Sequence, residues 1–430
     1  MALSNKITFL IAFLLLGACF FLALFSIKNL SATNDEVAHI SSGYSYLVQR
    51  DFRFNPEHPP LAKTISALPL LFLNLNFPLE SEHWHEIGNI RQWDFGREFI
   101  FQANDNPDQI IFWSRVPMII LLIITGWFVF FWTRQLGGNK PALLALTLFA
   151  FSPAFLAHGR LVTTDIAATL GFLIGIYFWI KFLQNQTIKN FIFSAIALGL
   201  GLCFKFSVIL ILPILTFITL AYLLAYKNTK TIKFKKKLRY AGLLILVTFF
   251  AFLFIIWPVY QFHMANYPAQ RQFEDIIEVF NIDSASPPKI ISNNFLRPFI
   301  HYAFGFSMAV CRVDKGYTAY FLGTLSQQGS WWYYFPVLYL FKVPLALHLI
   351  LLMFLGLGTV FLIRKKATAP QVDVFKEWAK RNFAIICLII FFSDILDFRS
   401  RRKLKHRYQA CFAHFPGNLY VNRFRNFSAF

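Results

Sequence analysis

Long apolar runs alternate along this chain with short basic loops and two long polar segments. The runs fall near residues 7–27, 114–132, 141–157, 166–183, 190–204, 207–226, 240–258 and 344–363, and a ninth begins near Phe383. A helix needs about 20 apolar residues to cross a hydrocarbon layer of ~30 Å, and most of the runs approach that length. The run 190–204 is short for a full crossing, which predicts a tilted or partly re-entrant helix. No clear small-residue cleavage site follows the first run, so it reads as a retained helix and not a removed leader. The pattern predicts an all-α polytopic membrane protein with about eight to nine transmembrane helices.

Basic residues set the expected orientation. The loop 227–239 holds six lysines and one arginine, loops 133–140 and 181–189 carry two basic residues each and no acid, and Arg364, Lys365 and Lys366 follow the eighth run. If the runs alternate, all of these lie on one side, which the positive-inside rule makes cytoplasmic. The outer side then receives residues 28–113 and 259–331 and nearly every acid before position 393, Asp373 and Glu377 excepted. Carboxylates segregated with the two large loops point to chemistry on that side; loops are also simply where acids are tolerated.

Composition adds little to this picture and removes several alternatives. The 430 residues are 57% apolar and only 14% charged, against roughly 25% charged in a soluble domain. The net charge of +20 follows from the cytoplasmic loops and does not call for a nucleic-acid partner. Cysteines at 19, 203, 311, 387 and 411 form no CxxC and no disulfide or zinc pattern. Usage rich in Ile, Lys, Asn and Phe points to an AT-rich genome and a bacterial inner membrane.

Four outer-side stretches carry candidate chemistry. The first outer segment holds "NDEVAH", with Asp35 and His39 one helical turn apart on one face and Glu36 between them. A partly desolvated carboxylate there suits a general base; a solvated helix start capped by Asn34 or Asp35 has the same spacing. The same segment holds "NPEHPPLAK", where the two prolines fix the direction of Glu57 and His58, which can meet a metal or a phosphate or form an exposed turn. In "AHGRLVTTDIAATL", Asp165 is either a helix cap or, with His158 and Arg160, part of a polar cluster at headgroup level. Lys205 in "GLCFKFSVILILP" can snorkel or hold an anionic headgroup. In the fourth stretch the Trp and Tyr residues of "WWYYF" suit an interfacial aromatic belt, whereas Lys342 near the bilayer is costly without an anionic partner.

Taken in order, "DEVAH…GY.YL", "NPEHPPLAK", "LAHGRLVTTD", "FKFS", "YFLG" and "WWYYFPV…KVPL", running from about Asn34 to Leu345, resemble the bacterial dolichyl-phosphate-mannose-type glycosyltransferases. That superfamily of protein O-mannosyltransferases and aminoarabinose transferases has the GT-C fold. The ordered set reverses the plainer readings of Asp35 and Asp165. It implies transfer of a sugar from a polyprenyl-phosphate donor to a hydroxyl of a protein or lipid-glycan acceptor at the outer face. By resemblance Asp35 is the base, Glu36 its partner, and Asp165 the acid of the second loop. Glu57 and His58 line the cavity, and Glu57 is the candidate ligand of a possible divalent metal, which only one branch of the family uses. The departing phosphate needs cations, for which Lys63, Arg160, Lys205 and Lys342 are the candidates. The "DE" pair and "HPPL" lean towards the protein-mannosyl branch. The expected partners are therefore the lipid-linked donor, its acceptor and membrane lipids.

The expected catalytic module ends near residue 393, and residues 394–430 form a basic, broken tail where the family has further apolar spans. Permitted codons for "KLKHRYQACFAHFP", read one nucleotide later, encode the family-like "NLNIGIRHVLPIFP", so a frameshift near codon 393 is the hypothesis. Resequencing that shows one intact frame would remove it, leaving a basic tail suited to anionic lipid. A lipid-linked glycan transporter or an inactive pseudoenzyme are the rival readings; the transporter expects charges at mid-depth and internal repeats.

Overall fold

The structure is a computed structural model, and it describes residues 3–87, 91–226, 234–282, 290–315, 319–326, 331 and 333–365. The expected ninth run, Asp373, Glu377 and the basic tail with its proposed frameshift lie outside the described residues, as does Trp332. Five helices are long and apolar enough to cross a membrane, or six if a bent pair counts as one span, which makes the chain an integral membrane protein.

Helix α1 (Asn5–Ile27) is followed by the long segment expected on the outer side, the first outer segment. That segment contains α2 (Asn34–Val48), α3 (Leu61–Ala67), the short α4 (Glu82–His85) and α5 (Gln92–Phe101). Helix α6 (Pro107–Gly137) returns antiparallel to α1, then α7 (Asn139–Ala150) and α8 (Pro153–His158) lead to α9 (Asp165–Gln184). Helices α10 (Ile188–Phe204), α11 (Ile211–Tyr226) and α12 (Phe234–Ala251) follow, and a π-helical turn at Phe252–Ile256 joins α12 to α13 (Trp257–His263). The π turn sits just before Pro258, whose missing N–H disrupts the regular ladder. The second outer segment adds α14 (Ala269–Phe280), α15 (Arg297–Lys315) and a hairpin of β1 (Ala319–Phe321) and β2 (Thr324–Ser326). Helices α16 (Tyr334–Lys342) and α17 (Leu345–Lys365) meet at a bend of 105°.

The expected span 141–157 is not one helix. It breaks between α7 and α8 at Phe151 and Ser152, because Pro153 disfavours helical backbone in the residue before it. The short run 190–204 becomes a helix of 17 residues, about 25 Å long. Both stretches still travel the length of the bundle. Asn139 bonds Leu3 and Asn5 at one end, while Val162 bonds Glu36 at the other. Likewise α10 brings Lys205 back to Asp165, where α9 began.

The two ends differ chemically. Arg134, Lys140, Lys181, Lys189 and Arg239 gather at the end marked by Asn5 and Gln186. The opposite end carries α2, α3, α5 and α15. Apolar packing forms two large adjoining clusters, one around Trp179 on α9 and one joining α1, α2, α5 and α6. Phe54, Phe77, Trp84 and Phe95 knit the first outer segment together by edge and tilted ring contacts.

The hairpin turn has Leu322 at φ 47° and Gly323 at φ 82°. A two-residue turn with both central residues at positive φ favours Asn-Gly. Leucine at the first position costs on the order of 1 kcal/mol in backbone strain.

Candidate active site at the acidic end of the bundle

The site rests on one buried ion pair. Glu36 and Arg115 both have fully buried side chains. The guanidinium donates to both carboxylate oxygens, from Nε at 2.8 Å and Nη2 at 2.7 Å. The carboxylate also accepts from the backbone N–H groups of Thr33 and Val162, each at 2.9 Å. Arg115 also donates to the carbonyls of Leu30 and Ser31. Four chain segments, the end of α1, the start of α2, α6 and the loop before α9, are therefore fixed by one pair. Burial alone would raise the pKa of Glu36, but Arg115 and the two backbone N–H groups outweigh it and hold the carboxyl below its ordinary value. Thr33, not Asn34 or Asp35, is the N-cap, and Glu36 supplies the returning half of a capping box.

This arrangement separates the two adjacent acids. Glu36 has both oxygens occupied inside, whereas Asp35 is exposed. One turn on, His39 is buried and its Nδ1 lies 2.8 Å from the Val162 carbonyl. A carbonyl only accepts, so Nδ1 carries the hydrogen. Burial, reinforced by Lys63, keeps His39 below its usual pKa, which leaves Nε2 as a bare acceptor.

The loop between α2 and α3 is built around Lys63. Its ammonium is buried and bonds the Tyr46 hydroxyl, the Asn55 carbonyl and Oδ1, and the His58 carbonyl, all between 2.7 and 2.9 Å. These contacts occupy its three donors, so Lys63 shapes the loop and does not face a phosphate as expected. Gly305 on α15 lies against the loop; a Cβ there would overlap the Pro56 carbonyl oxygen. This close approach lets α15 deliver Arg312, whose Nη1 lies 2.9 Å from Glu57 Oε1. Gln92 donates to the same oxygen at 2.8 Å and accepts from Asn55. Glu57 thus presents an oxygen already engaged by a guanidinium. Among the described residues no group of three His, Cys, Asp or Glu side chains converges, so this donor set does not fit the divalent metal considered for Glu57.

Burial, then His39, Lys63, Lys205 and Arg312, hold the pKa of His58 well below its ordinary value. Its ring meets that of His39 edge-on at 5.2 Å. Lys205 Nζ lies 2.5 Å from Asp165 Oδ1, and both side chains are partly exposed. Arg160 is half-buried, and its Nε is buried without a partner among the described residues. Lys342 lies elsewhere, exposed at the C-terminal end of α16, and among the described residues no contact ties it to this cluster. Arg115, Arg312, Asn55 and Gln92 complete the arrangement although no motif singled them out. Arg115 carried a signal, being one charge in an otherwise apolar run; Arg312 carried none.

Behind the loop, His301 on α15 is buried against Phe52, Tyr260, Tyr267 and Phe304. Burial, with Arg297 nearby, lowers its pKa to about 3. The unfolded imidazole takes a proton near pH 6.5 and the folded one does not, so stability is full above that pH and falls below it. At pH 5 the loss from this residue is ~2 kcal/mol. Thermal unfolding of purified protein is expected to show less acid sensitivity in His301→Leu than in the parent between pH 7.5 and 5. Equal sensitivity would refute the assignment.

Residues 108–257 match the model of the dolichyl-phosphate-mannose-protein mannosyltransferase family, a family of membrane glycosyltransferases that use lipid-linked sugars. The match covers α6 to the start of α13 and includes Arg115, Arg160, Asp165 and Lys205, but not the first outer segment. No curated protein matches the chain.

Proposed function

We propose that the acidic end of the bundle transfers a sugar from a polyprenyl-phosphate carrier to a hydroxyl acceptor on a protein or glycolipid. The observation that carries this reading is an exposed carboxylate, Asp35, one turn before His39, whose ring meets His58 beside the Glu57 that holds Arg312. In the reaction the acceptor oxygen bonds to the anomeric carbon as its proton passes to Asp35. The bond from that carbon to the phosphate oxygen breaks, and the lipid phosphate departs with the electron pair. Attack opposite the leaving group inverts the anomeric centre.

Each cation then has a task. Lys205, Arg312 and the unpartnered edge of Arg160 meet the phosphate, where charge develops as the bond breaks. Glu57 aims Arg312 and leaves it further N–H donors for an anion. Asp165 holds Lys205 in place. Glu36 acts through position, by fixing the start of α2 that carries Asp35. The basic end faces the cytoplasm by the positive-inside rule, which puts the reaction on the outer face. A mannose-like hexose and the protein-mannosyl branch remain the favoured substrate class from the "DE" and "HPPL" stretches.

The test is transfer from a radiolabelled polyprenyl-phosphate hexose in reconstituted vesicles, scored by labelled acceptor and released polyprenyl phosphate. The chain is assayed in its present reading frame and with the frame restored near codon 393. Donor consumption by either form supports the proposal. No consumption by folded, inserted protein across several donors would turn the reading to the transporter or the pseudoenzyme. Within an active form, Arg312→Gln is expected to raise the KM for donor roughly 10- to 100-fold, the equivalent of one charge-assisted hydrogen bond of ~1.5–3 kcal/mol. An unchanged KM would remove Arg312 from the phosphate site.

A further inference from the structure

The hairpin of β1 and β2 has no part in the chemistry above, yet its surface is unusual. Tyr320 and Leu325 are directly paired across the strands and so share one face. They are 66% and 65% exposed, and Leu322 at the tip is 71% exposed. Residues 319–326 contain no charge. The opposite face is anchored: Phe321 is buried and its ring meets Trp331, Tyr333 and Tyr334 at 5.9, 6.1 and 5.0 Å.

Leu322 adds a second, independent observation. Its φ of 47° belongs to a turn position at which a water-facing hairpin gains from Asn or Gly. A branched apolar side chain there is unfavourable for the backbone and unfavourable for water contact. Both are resolved if the tip is not in water. The anchoring aromatics lead directly into α16 and α17, the bent apolar pair of membrane-spanning composition. Trp and Tyr at the head of such a pair belong at headgroup level, which sets the hairpin beside the bilayer surface.

We propose that this hairpin is a membrane foot: Tyr320, Leu322 and Leu325 insert into the boundary between headgroups and acyl chains at the acidic end of the bundle. The occupant of the apolar face is phospholipid. A short uncharged element with an aromatic and two leucines fits that layer, as an interfacial helix does with its apolar face. The foot would hold the second outer segment against the leaflet. The proposal does not depend on the sugar-transfer reading.

The experiment uses the full chain in phosphatidylcholine vesicles, with an environment-sensitive fluorophore on a cysteine introduced by Leu322→Cys, Leu325→Cys or Thr324→Cys. The parent chain, labelled in parallel, gives the background from its own cysteines. Thr324 pairs with Phe321 on the opposite face and serves as the reference. Spin-labelled phospholipid, with the label high in the acyl chain, is expected to quench the probes at 322 and 325 severalfold more than the probe at 324. Aqueous iodide is expected to show the reverse order. Iodide quenching of 322 and 325 without lipid quenching would place the face in water and overturn the proposal. Protection from both quenchers would place it under protein and overturn it equally. A second variant separates the tip from the fold: Leu322→Asn suits the turn but removes the apolar side chain. Combined with the probe at 325, it is expected to lower lipid quenching there, and unchanged quenching would remove Leu322 from the foot.

Discussion

Asp35→Asn is expected to reduce sugar transfer by roughly 10²- to 10⁴-fold, the usual contribution of a positioned general base, with donor binding and thermal stability close to the parent. The expectation of intact folding rests on the side chain's place: Asp35 is exposed at the start of α2, and the cap of that helix is made by Thr33 and Glu36. The amide keeps the shape and removes the proton acceptor. The release of polyprenyl phosphate reads the loss directly, because it scores cleavage of the donor whatever the acceptor. Undiminished release would take the base role away from Asp35. A matching fall in unfolding temperature would make the residue structural and deny it the chemical role.

The neighbouring acid is expected to behave in the opposite manner. Glu36→Leu leaves Arg115 buried with no counter-charge, a situation that costs about 3–5 kcal/mol out of a total stability of roughly 5–15 kcal/mol for a typical protein. Unfolding in detergent and the yield of inserted protein should both fall sharply. Removing both partners, in Glu36→Leu with Arg115→Leu, should recover much of the loss, since the isolated charge is then gone. A single-variant cost below ~1 kcal/mol, the range of an exposed pair, would contradict the burial seen for both side chains. Adjacent residues with the same functional group are thus separable by two readouts, rate for Asp35 and stability for Glu36.

Much of the fold was legible because a membrane imposes a simple rule on sequence: apolar length makes a helix and basic loops mark one end. The exceptions have local causes. The run 141–157 looks continuous because Ser152 and Pro153 interrupt it without adding charge. The site was legible as a set of motifs but not as a division of labour. Neighbours on a helix point about 100° apart, so "DE" alone does not tell which acid faces inward. Arg115, 79 residues away, decides that. Lys63 resembled a phosphate ligand by charge, yet the αL turn at Asn55 and the His58 carbonyl enclose it. Arg312 lies 255 residues from Glu57, on a helix whose sequence gives no hint of a partner.

Those two separations also order the birth of the molecule. Chains are made from the N-terminus and their parts fold as they emerge. The clamp between Glu36 and Arg115 closes as soon as α6 is in place, so the frame that carries Asp35 exists early in synthesis. Glu57 must wait until α15 has been translated and moved across the membrane before Arg312 reaches it. A nascent chain stalled anywhere between these points is already moored in the bilayer but lacks the contact between Glu57 and Arg312. On the proposed reading, newly made protein therefore stays inert until α15 docks.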